Sequence, residues 1–159
     1  MSQTLFKTNI PFETWDLDLL VDYVLKFHHR NTRKYGNELL ERLNQLAANH
    51  PELDRVVDHF RNSIADLDLH CQKEENVLYP FILELFNAAE LGQEHAPFHC
   101  GSIQFPINAM MADHSDEIER HNRIAELTNN YTAPGGAEPE YVKALTDLKQ
   151  FRNYLLEHI

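Results

Sequence analysis

Apolar residues recur at spacings of three and four along almost the whole chain, which is the period of one face of an α-helix, and no segment alternates in the manner of a strand. Four helices are predicted. The first runs from about Asp16 to Asn49, with Leu17, Val21, Val24, Tyr35, Leu39, Leu43 and Leu46 on its inner stripe. His50-Pro51 ends it, because the residue before a proline is pushed out of the α region. The second runs from about Glu52 to Ala88, striped by Val57, Phe60, Ile64, Leu67, Leu78, Phe81 and Leu85, and Pro80 inside it predicts a kink or a break. Residues 89 to 102 form the longest connection. A third helix then turns Ile103, Ile107, Met110, Ile118 and Ala125 inward and ends near Asn130. Tyr131 to Pro139, with Pro134, Gly135 and Gly136, is the last turn, and a fourth helix carries Tyr141, Leu145, Leu148, Phe151 and Leu155. Long helices joined by short turns make antiparallel neighbours, so the fold class is all-α, an up-down-up-down four-helix bundle in one domain.

Each apolar stripe is interrupted by a histidine in register with it: His28 after Val21 and Val24, His70 after Leu67, His114 after Met110, and His158 after Leu155. Glu74 lies one turn beyond His70 on the same face, a spacing at which both side chains reach one ion or two adjacent ions. In an antiparallel pair, residues equally far from the connecting turn lie side by side. His28 stands about as far before the His50 turn as His70 and Glu74 stand after it, and His114 and His158 match across the last turn to within about one helical turn. The four histidines and the glutamate therefore fall at one level of the core.

A lone histidine on an apolar face is usually a hydrogen-bonded core residue. Four at one level with a buried carboxylate are different, because a carboxylate left unpaired there costs several kcal/mol and a divalent cation would use every donor. His29, about 100° round the helix from His28, is expected to face out, as is Glu75 beside Glu74. His121 lies roughly 10 Å lower on the inner stripe and reads as a core polar group or part of a second site.

Mixed imidazole and carboxylate donors suit iron, manganese or zinc. Cys71 and Cys100 form no cluster for a structural zinc or an iron–sulfur site; Cys71 reads as a small buried hydrophobe, and Cys100 as a residue that covers the site mouth or merely terminates a turn. Bundle cores lined in this way hold two ions bridged by carboxylate, which makes a di-iron centre the leading expectation. The 159 residues suffice for one substantial core, and a net charge of −11 repels phosphate backbones and anionic lipid, so neither nucleic acid nor a membrane surface is an expected partner. The start, MSQTLFKTNIPFETW, has no apolar signal region and no run approaches a membrane span, which makes the cytoplasm the default location.

The segments WDLDLLVDYVLKFHH, HCQKEENVLYP, FHCGSIQFPINAMMADHSDE and NNYTAPGGAEPEYVKAL through LLEHI resemble, in order, the hemerythrin-like domain of the di-iron proteins that repair iron–sulfur clusters. The resemblance covers nearly the whole chain and implies His28, His70, Glu74, His114 and His158 as iron ligands, with Glu74 bridging two non-haem irons. The family's usual last motif has a second bridging glutamate four residues after its histidine. Here the sequence stops one residue after His158. Against that pattern the last helix reads as truncated and the second iron as weakly held or lost. Residues 1–15 read as the linker that follows a cysteine-bearing N-terminal domain in such proteins.

The function implied by this resemblance is support for the repair of iron–sulfur clusters damaged by nitric oxide or oxidative stress, with a diatomic ligand at the irons and iron–sulfur proteins as clients. The alternative is a hemerythrin-like binder or sensor of oxygen or nitric oxide without turnover. Asp66 and Asp113, near His70 and His114, are candidate acids for orienting imidazoles or lining an access path, or else surface charges.

Overall fold

The structure is a computed structural model that describes residues 10–94 and 103–159. Cys100 and the FHCG loop lie outside the described residues. Helix α1 comprises Leu17–Tyr23, a π-helical turn Val24–His29, and Arg30–Ala47. Helix α2 comprises Asp54–Lys73, a second π turn Glu74–Leu78, and Tyr79–Glu90; α3 is Gln104–Leu127 and α4 is Pro139–His158. Every expected helix is present, with ends within a few residues of those read from the pattern, and the chain is an all-α, up-down-up-down four-helix bundle. No strand occurs among the described residues.

Proline chemistry organises the turns. Pro51 opens a short 3-10 turn, Pro51–Leu53, between α1 and α2, and Pro139 starts α4, a first-turn position where its missing N–H is not needed. The kink or break expected at Pro80 takes a milder form. Pro80 cannot donate to the carbonyl four residues back, and the chain widens into the Glu74–Leu78 π turn just before it, after which α2 continues to Glu90.

Below the histidine level the core is closely packed. Leu43, Val56, Phe60, Ile124, Leu145, Leu148 and Leu155 are almost wholly buried, and the Phe60 and Phe151 rings meet edge to face at 5.2 Å. Two stripes differ from expectation. On α1 the π turn buries both His28 and His29, and beyond it the buried positions are Thr32, Gly36, Leu39 and Leu43, with Tyr35 exposed. On α3 the buried face is Met110, Glu117, His121 and Ile124, one residue round from Ile118 and Ala125, which sit half-buried on its shoulder. A carboxylate at Glu117 masked that face in the sequence.

Gly36 is where α1 comes closest to its neighbours: a Cβ there would stand 2.4 Å from Ile64 Cδ1 and 3.3 Å from the Phe151 ring. At an unencumbered helical site Gly→Ala gains about 1 kcal/mol. Here the clash should outweigh that gain. Gly36→Ala is expected to lower stability by about 1 kcal/mol in urea denaturation, and to cost less than that when made in an Ile64→Val background, where the offending methyl is gone.

Candidate metal centre

The two π turns lie opposite one another on α1 and α2, and they carry His28, His29 and Glu74. The first consequence overturns an expectation: His29 does not face out. It is fully buried, its Nε2 is 3.0 Å from Glu74 Oε2 and its Nδ1 is 2.8 Å from Glu75 Oε1. The one-residue insertion in the Val24–His29 turn invalidates the 100° step that placed His29 on the surface, and both His28 and His29 point into the bundle.

Two overlapping groups of donors result. His70, His114 and His158 bring one nitrogen each to within 4.8 Å of one another, and a nitrogen of His29, a carboxylate oxygen of Glu74 and a nitrogen of His158 lie within the same distance. His158 belongs to both groups, and Glu74 Oε2 also stands 3.5 Å from His70 Nε2. The Nε2 atoms of His70 and His114 face each other at 3.1 Å. His28 is buried but belongs to neither group. Its ring packs 5.2 Å from those of Tyr154 and His158, and its Nδ1 has no hydrogen-bonding partner.

The carboxylates behind the imidazoles fix their orientation. Glu75 accepts from Arg33 at 2.7 and 3.2 Å, and Arg33 is itself held by Asp68 at 2.7 Å, so the carboxylate behind His29 Nδ1 is clamped from two sides. Glu75, expected to turn away to solvent, is therefore part of the surround of the site. Asp113 does the same for His70, its Oδ2 lying 3.2 Å from Nδ1 and 2.8 Å from Lys73 Nζ. A carboxylate on one ring nitrogen sets the tautomer and leaves the other nitrogen's lone pair for a cation. Asp66 instead pairs with Arg120. A cleft of about 120 Å³ runs between α2 and α3 past Asp66, Lys73, Asp113 and Arg120 to His70 and His114.

Burial pushes the Glu74 carboxyl up, but hydrogen bonds from His29 and His70 and the charges of His70 and His158 more than offset it and leave it far below the usual carboxylate range. Burial drives His158 down to about 3, with the neighbouring histidines adding to the effect. His70 is the exception, because Glu74 and Asp113 outweigh its burial and raise it. Burial also lowers His114, so His114 and His158 offer neutral imidazole nitrogens beside one ionised carboxylate. His158 Nδ1 is buried with no partner, and two Nε2 atoms converge with at most one hydrogen between them. Those are donors that a divalent cation of the iron, manganese or zinc type would satisfy. Cys71, next in sequence to His70, is buried and its thiol is pushed up to about 12, so it is a core group and not a donor.

His121 is a core polar group below this layer. Its Nε2 lies 3.1 Å from Ser63 Oγ, which donates to Glu117 Oε2 at 2.6 Å, and Arg120 Nε donates to the other Glu117 oxygen at 2.9 Å. Burial, followed by the positive charges of Arg152 and Arg120, lowers His121 to about 4. The unfolded chain takes up this proton near pH 6.5, so stability is fully present above that pH and drains away as pH falls toward 4. His28 and His158 act in the same direction. Between pH 7 and pH 5, cation-free His121→Gln is expected to lose about 2 kcal/mol less stability than the unsubstituted chain, read from urea denaturation at the two pH values.

The chain is similar to the iron–sulfur cluster repair protein DnrN of Neisseria gonorrhoeae, 26% identical over 155 residues, covering 93% of this chain and 89% of that protein. It is also similar to the iron–sulfur cluster repair proteins YtfE of Citrobacter koseri, 23% identical over 152 residues, and of Yersinia pseudotuberculosis, 25% identical over 154 residues. It spans 63% and 64% of the length of those two proteins. Residues 20–159, which carry all the donors described above, match the hemerythrin HHE cation-binding domain. The chain belongs to the hemerythrin HHE family of cation-binding domains.

Proposed function

We propose that the chain holds two non-haem iron ions, one among His70, His114 and His158 and the other among His29, Glu74 and His158, and that it serves the repair of iron–sulfur clusters damaged by nitric oxide or oxidative stress. The observation that carries the reading is the sharing of His158, with Glu74 Oε2 reaching both His29 Nε2 at 3.0 Å and His70 Nε2 at 3.5 Å. A single cation would not need two overlapping triads. A carboxylate placed between them is suited to bridging. In this reading His29 takes the place first assigned to His28, which packs behind the layer against Tyr154 and His158.

When bound, the irons would supply redox chemistry and open positions for a diatomic ligand. The protein's own part is orientation and access. Glu75, clamped by Arg33, holds His29; Asp113 holds His70; and the cleft past Asp113 gives a polar route from solvent to the His70 and His114 face. Repair of iron–sulfur clusters as the task is supported by the names of the DnrN and YtfE relatives, and iron–sulfur proteins are the partners this implies.

Metal analysis after anaerobic reconstitution with ferrous iron tests the reading. Two irons per chain are expected at excess ferrous iron, the second held more weakly than the first, falling to one or fewer in Glu74→Ala and in His29→Ala with helical content kept. Glu74→Ala should also abolish recovery of a nitric-oxide-damaged iron–sulfur enzyme. A folded chain that binds no iron, or a Glu74→Ala variant with full activity, would contradict it.

A further inference from the structure

The chain carries 25 acidic residues against 14 lysines and arginines, yet from Tyr23 to Asn37 it has no acid and includes Lys26, Arg30, Arg33 and Lys34. Their spacing of three and four residues sets these cations along one outer face of α1. A shallow groove of about 530 Å³ lies on that face, lined by Leu25, Arg30, Arg33, Lys34 and Asn37. Lys26 is paired with Asp22, and Arg33 with Asp68 and Glu75. Arg30 and Lys34 are exposed, and among the described residues neither has an ion-pair partner. The Lys34 ammonium lies 5.3 Å from the centroid of the Tyr35 ring, which holds its charge against the surface.

The chemistry that complements this groove is carboxylate. A guanidinium takes a carboxylate through two parallel hydrogen bonds and an ammonium takes it as a point charge, while half-buried Leu25 offers an apolar contact beside them. A nucleic acid or an anionic membrane would spread its charge beyond the groove and against a chain of net charge −11, whereas a short acidic segment of a protein confines its charge to it. Residues 1–9 of the chain contain no acid and do not supply that segment. We propose that this face of α1 docks an acidic segment of a partner protein, whose carboxylates pair with Arg30 and Lys34. Arg33 in the same groove clamps Glu75 behind His29, so a partner seated there lies over the turn that carries His29. Docking of this kind depends on surface charge and needs no bound cation.

The test is fluorescence anisotropy of a labelled oligoglutamate peptide titrated with the full chain, with circular dichroism as a check on folding. Binding is expected, and it should weaken about tenfold as salt rises from about 0.03 M to about 0.3 M. Arg30→Glu combined with Lys34→Glu should keep its helical content and weaken binding by about tenfold or more. Arg30→Gln combined with Lys34→Gln, which removes the charges without adding acid, should weaken it by about fivefold and answers the question if the reversed pair does not fold. Arg55→Glu combined with Lys149→Glu changes the net charge as much at exposed positions outside the groove and should alter binding less than about twofold. No binding at low salt, or an equal loss in the groove pair and the outside pair, would overturn the proposal. So would tighter binding to phosphatidylglycerol vesicles than to the peptide, which would make the face a membrane contact. Dimerisation of the chain in sedimentation velocity, abolished by the groove pair, would make a second copy the occupant and overturn it too. Because no cation is required, failure here leaves the iron reading standing, and failure of iron binding leaves the docking face standing.

Discussion

A carboxylate, Glu74, stands almost fully buried in the middle of a helical bundle, and most of the upper half of the molecule is arranged around that fact. An ionised carboxylate taken out of water costs several kcal/mol unless charge and hydrogen bonds meet it on every side. His29 and His70 meet Glu74 directly, His158 stands within reach, and Glu75 and Asp113 stabilise the imidazoles from behind. Those outer carboxylates are anchored by Arg33 and Lys73 toward the surface. Positive charge at the rim, carboxylate, imidazole and central carboxylate form alternating layers, and that alternation makes the interior ready for a cation.

The same constraint explains the departure from regular helix. His29 of α1 and Glu74 of α2 meet at the level where each helix has a π turn, Val24–His29 and Glu74–Leu78. Such turns are less stable than the α-helix they interrupt and recur at functional sites for this reason. Elsewhere the packing is conventional, with Gly36 allowing close approach of α1 and the aliphatic core below supplying the stability that the polar layer does not.

Much of this was legible in the sequence. The helices, their order and the all-α class follow from spacing alone, and the placing of His70, Glu74, His114 and His158 at one level follows from counting residues from the turns. What could not be read was the backbone irregularity. The π turn at Val24–His29 breaks the constant 100° per residue and brings His29 in, while Gly36, three residues before Leu39, takes the core position that the larger apolar side chain of Tyr35 suggested. Pro80 signalled an irregularity in α2 but not its form. Glu117 was missed because a carboxylate breaks an apolar pattern, although it is buried with Ser63 and Arg120 as partners.

The central claim is that two adjacent cation positions share His158 and that His29, not His28, completes the second. A crystal structure of the iron-reconstituted protein with anomalous scattering measured at the iron edge tests it most directly. The account predicts two anomalous peaks, one among His70, His114 and His158 and one among His29, Glu74 and His158, with His28 bound to neither. A single peak, or a peak ligated by His28 with His29 turned to solvent, would contradict it.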